Sequence, residues 1–215
     1  MSKENKPVLL KQYEHVFSKS DYDIGRTKLV EMHIDTGTHR PIRQALRRHP
    51  VAHLDEIDRQ VTQMLEHGLI EPAASPWASN VVLVQRKDGQ YRFCVDYRAA
   101  NSCTYKDAYP LPNIGICLDS LNGASWFSTL DLRAGYHNIP IEESSRDVTA
   151  FITRRGIWRY RAMPFGLTTA PAVMQRCMDL VLTGLTFETC LVYLDDCIVF
   201  GRSFEELLDR LSKLV

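Results

Sequence analysis

Several things are missing from these 215 residues, and each absence closes off a class of protein. No apolar run approaches the ~20 residues needed to span a bilayer, and the N-terminal MSKENKPVLL is polar, without a signal-peptide core. No membrane partner is expected, and the expected setting is cytoplasmic or nuclear. The six cysteines (94, 103, 117, 177, 190 and 197) contain no CxxC pair, so neither a zinc site nor a disulfide framework is suggested. They read as reduced packing residues. There is no internal repeat, no low-complexity segment and no glycine-serine linker. Net charge is also missing: 26 basic residues balance 26 acidic ones, so the bulk signature of a nucleic-acid binder is absent.

What is present lies in the distribution. Arg40, Arg43, Arg47 and Arg48 form an acid-free cluster, and the stretch from Arg146 to Arg161 carries five arginines against Asp147 alone. Residues 195–215 run the other way, with five acids against three bases. Basic strips with a separate acidic focus fit phosphate tracking around a metal site, although solvated faces of both signs would give the same pattern.

With 45% hydrophobic residues the chain can bury a sizeable core, as one domain or two joined lobes. The first thirty residues read as a poorly structured lead-in. Leu54, Ile57, Val61 and Met64/Leu65 have helical spacing, and Gly68 sits where such a helix stops. NVVLVQ (80–85) and QYRFCV (90–95) flank Lys87-Asp88-Gly89 as a hairpin with a basic tip. ICLDSLNGA (116–124) predicts a short helix closed by Gly123, and WFSTLDL (126–132) a buried strand ending in Asp131. TAFIT (149–153) and IWRYRAM (157–163) make a second hairpin with an arginine-rich outer face. PFGLTTAPAVMQRCMDLVL (164–182) predicts a long helix with Thr169 as its cap and Pro171 in its first turn. CLVYLDDCIVF (190–200) is the third hairpin, and in SFEELLDRL (203–211) Ser203 and Glu206 have capping-box spacing. Three hairpins interleaved with helices predict an α+β fold with antiparallel pairing rather than a doubly wound parallel sheet.

Three acids, Asp131, Asp195 and Asp196, stand at strand ends or tips, enclosed by apolar flanks. Desolvating unpaired ions there costs several kcal/mol, roughly, per ion, so something positive is expected. If the strand ending at Asp131 lies beside the 190–200 hairpin, the carboxylates meet and divalent cations relieve their repulsion. Magnesium suits such oxygen ligands, and two ions about 3.5–4 Å apart serve phosphoryl or nucleotidyl transfer. An Asp-Asp pair in a tight turn is also ordinary turn chemistry.

YLDD (193–196), STLDLRAGYHNIPI (128–141), KDGQYRFCVDYRAAN (87–101), YPLP (109–112) and MPFGLTTAPAVMQ (163–175) together resemble the reverse transcriptases of gypsy-type long-terminal-repeat retrotransposons, over about residues 30–210. The resemblance implies a right-hand polymerase with an antiparallel palm sheet and packed helices. Residues 1–29 would be a lead-in, 30–104 and 141–163 fingers, and 105–140 and 164–215 palm; thumb, connection and ribonuclease H would be absent. It implies RNA-directed DNA polymerisation, with an RNA or DNA template, a primer, deoxynucleoside triphosphates and two magnesium ions, manganese being the alternative. Asp131, Asp195 and Asp196 would be catalytic metal ligands, with the Leu132 carbonyl adding a ligand. Arg86, Lys87 and Arg92 would contact the triphosphate. Tyr136 would block a ribose 2′-hydroxyl, Phe165 and Gly166 would lie beneath the nucleotide, and Leu194 would sit beside the primer end. Asp96, Arg98 and Asn101 would contact the template, although a salt bridge explains Asp96 and Arg98 equally well. A virus-like particle joins the cytoplasm and nucleus as an expected location; oligomeric state stays open.

Departures are few: Asn138 stands where glutamine is expected, Thr169 where asparagine is common, and Ser102-Cys103-Thr104 is atypical. On this resemblance the chain is expected to be an excerpt of a polyprotein or a degenerate genomic copy. A rival stays in view, a truncated, non-catalytic nucleic-acid-binding remnant.

Overall fold

The computed structural model describes residues 11–20 and 22–214. In chain order its elements are helix α1 (Val51–Glu66), strands β1 (Ile70–Pro72), β2 (Ser79–Gln85) and β3 (Tyr91–Val95), and helices α2 (Arg98–Cys103) and α3 (Ile114–Ser120). Strand β4 (Trp126–Asp131), one-turn helix α4 (Glu143–Arg146), β5 (Phe151–Thr153), β6 (Gly156–Tyr160), α5 (Ala170–Val181), β7 (Cys190–Tyr193), β8 (Asp196–Gly201) and α6 (Phe204–Leu214) follow. The α+β class expected from the hairpins is the one observed. Two compact units divide the chain. One comprises Ala108–Gly135, the described residues from Met174 onward, and those up to Gly25; the other comprises Arg26–Asp107 and Tyr136–Val173. No helix among the described residues is long and apolar enough to cross a membrane.

The unit built from Arg26–Asp107 and Tyr136–Val173 holds a five-stranded sheet in the order β1-β6-β5-β2-β3. Both expected hairpins are there, with Val84 opposite Arg92 in one and Ile152 opposite Ile157 in the other. One pairing departs from the antiparallel expectation: β2 and β5 run parallel, with Ser79 opposite Phe151. A parallel pair needs a crossover of a dozen or more residues, which the long chain between Gln85 and Phe151 supplies. Helix α1 buries Ile57, Val61 and Met64, each contributing about 1.5–3 kcal/mol, which outweighs the marginal stability of an isolated helix of this length. Gly68, at φ +64°, turns the chain out of it.

The arginine-rich outer face is not a free phosphate track. Arg159 binds Glu71 (2.7 Å), Asp147 (3.0 Å) and Glu143 (2.5 Å). Arg146 pairs with Glu143, Arg161 reaches Glu71 at 3.5 Å, and Arg154 bridges Asp55 and Asp58, both at 2.8 Å. Counting acids within residues 146–161 missed this, because apart from Asp147 the neutralising carboxylates come from α1, β1 and α4, outside that stretch.

The other unit holds a three-stranded antiparallel sheet, β4-β8-β7. Helix α6 covers it, the Trp126 and Phe204 rings lying 5.1 Å apart and Arg210 Nη1 donating to the Phe200 carbonyl (2.7 Å). Its capping box forms one residue early on one side: Glu206 N donates to Ser203 Oγ (3.2 Å), while Arg202 N donates to the Glu206 carboxylate (2.6 Å). Helix α3 starts before Ile116 because Asn113 Oδ1 accepts from Gly115 N (2.8 Å) and Ile116 N (3.4 Å). Strand β4 corrects the expectation of burial: Trp126 and Phe127 are 46% and 50% exposed. Among the described residues it is an edge strand that pairs only with β8, and strand composition does not report what covers a face. Thr169 also corrects an expectation, since its hydroxyl is buried without a hydrogen-bond partner among the described residues, while its carbonyl serves helix α5, accepting from Val173 N (3.1 Å). Of the expected lead-in, residues 1–10 and 21 lie outside the described residues; Glu14–Val16 forms a single 3-10 turn, and Tyr13 Oη lies 3.5 Å from the Ser212 carbonyl.

Candidate active site

Strands β4 and β8 pair in a register that sets Asp131 directly opposite Asp196. Directly opposed residues of an antiparallel pair project to one face, so both carboxylates leave the sheet on the same side. Tyr193 also pairs with Asp196, which leaves Leu194 and Asp195 as the two-residue loop between β7 and β8. The Asp195 carbonyl accepts from Leu132 N (3.3 Å), tying the end of β4 to that loop. The three acids predicted to converge are therefore brought to one corner of one sheet, with Leu132 and Leu194 beside them.

The electrostatics there are uncompensated. Asp131 is raised above its ordinary carboxylate value, by desolvation first and then by the neighbouring charges of Asp195 and Asp196. Like charges directly opposite each other destabilise a sheet, and no basic side chain among the described residues forms an ion pair with any of the three. Among the described residues no three His, Cys, Asp or Glu side chains are drawn together tightly enough to hold a metal ion as they stand. The donors suit a hard divalent cation in kind, being carboxylate oxygens with a carbonyl nearby, and the excess negative charge suits one in sign.

Two residues that complete this corner escaped the sequence reading of roles. Gly135 lies so close to the loop that an added Cβ would stand 2.9 Å from Asp195 Cβ and 3.1 Å from Met174 Cε. Gln175 is wholly buried, and its Oε1 accepts from Leu194 N at 2.9 Å. Leu194 adopts φ +57°, a conformation that costs a non-glycine residue roughly 1–2 kcal/mol. The one available signal for Gln175 was an amide on an otherwise apolar helix face; for Gly135 there was none beyond its presence in RAGYH.

The remaining predicted residues all belong to the other unit. Arg86 and Lys87 sit at the exposed tip of the β2–β3 hairpin and Arg92 on its exposed edge, none with an ion-pair partner among the described residues. Asp88 Oδ1 accepts from Gln90 N (3.0 Å) and Gly89 takes φ +84°, so the Asp-Gly pair shapes this tip as predicted. Tyr136 meets Phe165 edge-on, with ring centroids 4.9 Å apart, and Phe165 stays 53% exposed. Asp96 and Arg98 bind each other in a two-pronged bridge, at 2.8 and 2.6 Å, which is the salt-bridge alternative weighed above. Asn101 is occupied too: its Nδ2 donates to the Gly166 carbonyl (2.8 Å) and its Oδ1 accepts from Thr168 N (2.9 Å).

Residues 84–215 match the family described as reverse transcriptase (RNA-dependent DNA polymerase). The retrovirus-related Pol polyprotein from transposon opus of Drosophila melanogaster is 36% identical over 202 residues, covering 92% of this chain and 20% of the polyprotein. That from transposon gypsy of the same fly is 36% identical over 155 residues, covering 69% of this chain and 15% of its own length. The chain thus spans a fifth or less of these two polyproteins. Among solved structures, a foamy viral protease-reverse transcriptase in complex with RNA/DNA hybrid superposes with a TM-score of 0.86 at 23% identity, covering all of this chain and 29% of that one. This last likeness is one of fold.

Proposed function

The chain belongs to the reverse transcriptase (RNA-dependent DNA polymerase) family, and on that premise we propose that it carries the polymerising site of a gypsy-type retrotransposon Pol polyprotein. The reaction is attack of a primer 3′-hydroxyl on the α-phosphate of a deoxynucleoside triphosphate, with pyrophosphate leaving and an RNA or DNA template directing the choice of base. The observation that carries this reading is the Asp131–Asp196 register with Asp195 in the adjoining loop, three carboxylates at one corner with no ion-pair partner among the described residues.

Asp131, Asp195 and Asp196, with the Leu132 carbonyl, are the groups that would hold divalent cations, and their oxygen-only chemistry suits hard ions such as magnesium or manganese. When bound, a pair of such ions lowers the pKa of the primer hydroxyl and neutralises charge on the reacting phosphate and the departing pyrophosphate. Arg86, Lys87 and Arg92 have the unpaired positive charge to take a triphosphate through charge-assisted hydrogen bonds. Tyr136, braced against Phe165, presents a fixed ring edge able to exclude a 2′-hydroxyl. Gly166, held at φ +93° with its carbonyl bonded to Asn101, would lie beneath a base, and Leu194 would offer an apolar contact for the primer terminus. Asp96, Arg98 and Asn101 are assigned to positioning the template-side backbone rather than to free contacts, since their polar atoms are already engaged.

Primer extension on an RNA template with magnesium tests the reading, comparing the chain with its Asp195→Asn form. Incorporation is expected from the first and a loss of about 10³-fold in the second. Equal incorporation by both would remove the acids from the chemistry. Salt-dependent binding of an RNA/DNA hybrid with no incorporation by the unaltered chain would select the non-catalytic remnant instead.

A further inference from the structure

Leu194 presents a puzzle of conformation: a bulky γ-branched residue occupies φ +57° in the loop that carries Asp195, where glycine or asparagine would sit without strain. Something must hold it there, and the holder is Gln175, whose Oε1 accepts the Leu194 N–H at 2.9 Å. An amide can present either end to a partner, so the bond is dependable only if the other end is fixed. Gln175 Nε2 donates to Asp179 Oδ1 at 3.0 Å, one helical turn further along α5. A carboxylate only accepts, so Asp179 forces the nitrogen of Gln175 toward itself and the oxygen toward the loop. The second Asp179 oxygen accepts from the Tyr109 hydroxyl at 2.6 Å, and the Tyr109 ring lies beneath the Arg176 guanidinium, 4.9 Å from its centroid. That same hydrogen bond raises Tyr109 above its ordinary phenol value, which keeps it a donor at neutral pH.

We propose that Tyr109, Asp179 and Gln175 form a one-way hydrogen-bond relay that positions the Leu194–Asp195 loop, so that Gln175 is a positioning residue for the carboxylates and Tyr109 a distal one acting through it. The relay gives the tyrosine of YPLP and the glutamine that closes MPFGLTTAPAVMQ a single shared task, although the two lie 66 residues apart (175 minus 109). All of its members belong to one compact unit. Gln175 is wholly buried, and a buried amide is costly unless both ends are satisfied, which the relay accomplishes. The inference rests on the reading of the acids as cation ligands.

Its test uses Mn²⁺ as the probe, with affinity read by electron paramagnetic resonance and single-turnover incorporation measured alongside hybrid affinity. Gln175→Met keeps the side-chain volume and removes both bonds. It is expected to weaken Mn²⁺ binding about tenfold and slow the single-turnover rate by at least as much, with hybrid affinity unchanged. Tyr109→Phe, at a half-buried position, should weaken Mn²⁺ about threefold, and adding it to Gln175→Met should change nothing further, because a relay already cut cannot be cut again. Wild-type Mn²⁺ affinity in Gln175→Met, or independent, additive losses in the pair, overturns the relay. Should Gln175→Met fail to fold, Tyr109→Phe alone decides, and unchanged affinity in it overturns the relay. If the unaltered chain takes up no more Mn²⁺ than Asp195→Asn does, the cation reading falls and the relay with it, a result distinguishable from failure of the relay alone.

Discussion

The two compact units handle charge in opposite ways. In the unit with the five-stranded sheet, Arg146, Arg154, Arg159 and Arg161 are matched by Glu71, Glu143, Asp147, Asp55 and Asp58. In the unit with the three-stranded sheet, Asp131, Asp195 and Asp196 crowd one corner, and no base among the described residues forms an ion pair with them. The first arrangement is structural: charges are present, half-buried and balanced. The second spends stability on an imbalance, which a fold tolerates where a ligand corrects it. Unpaired charge, more than charge, separates candidate function from scaffold. The same criterion sets Arg86, Lys87 and Arg92 apart from Arg146, Arg154, Arg159 and Arg161 of their own unit, a distinction they share with Arg40, Arg43, Arg47 and Arg48 among the described residues.

The contrast can be broken at several points. The largest stability effect is expected from Arg159→Met, which removes the hub shared by Glu71, Glu143 and Asp147 and leaves Arg146 and Arg161 to offset Glu143 and Glu71 alone; urea unfolding should report a loss of about 2 kcal/mol. Gly135→Ala should follow at about 1–2 kcal/mol, because the new Cβ overpacks against Asp195 and Met174, and this substitution alone of the two should also lower incorporation.

Asp131→Asn should act in the reverse direction, stabilising the metal-free chain by about 0.5 kcal/mol at neutral pH by removing a like-charge pair. Its pH signature follows from the raised Asp131 carboxyl. The folded chain holds that proton more tightly than the unfolded one, so the contribution is complete below the ordinary carboxylate value. It is lost as pH rises through the raised value, and denaturation in metal-free buffer across the acid range should show this slope in the unaltered chain and not in Asp131→Asn. The smallest stability effect belongs to Arg92→Gln, within about 0.5 kcal/mol by melting, while its nucleotide KM rises about tenfold. A large destabilisation there would make Arg92 another scaffold arginine.

Local pattern made much of this legible in advance. Three hairpins, the helix through Ile57 and Val61, and the capping spacing of Ser203 and Glu206 follow from periodicity and turn chemistry, which act over a few residues. The acids were legible because carboxylates stand between apolar flanks, although the burial expected there is not observed: Asp131 and Asp196 are exposed and Asp195 is half-buried, because they sit at the strand ends rather than within the sheet. What escaped is non-local. The carboxylates that neutralise Arg154 and Arg159 come from helix α1, strand β1 and helix α4, and the exposure of Trp126 depends on which strand ends the sheet. Gln175 and Gly135 gain meaning only from what stands opposite them once the chain has folded. Thr169 had the right residue type for a cap, yet its hydroxyl finds no partner among the described residues.

The most direct trial of the central claim is thermal melting of the chain and its Asp195→Asn form, with and without magnesium. At a tenfold excess over the dissociation constant, the cation should raise the midpoint of the unaltered chain by about 3–5 °C and leave Asp195→Asn nearly where it was. An equal rise in both, or none in either, would contradict the account.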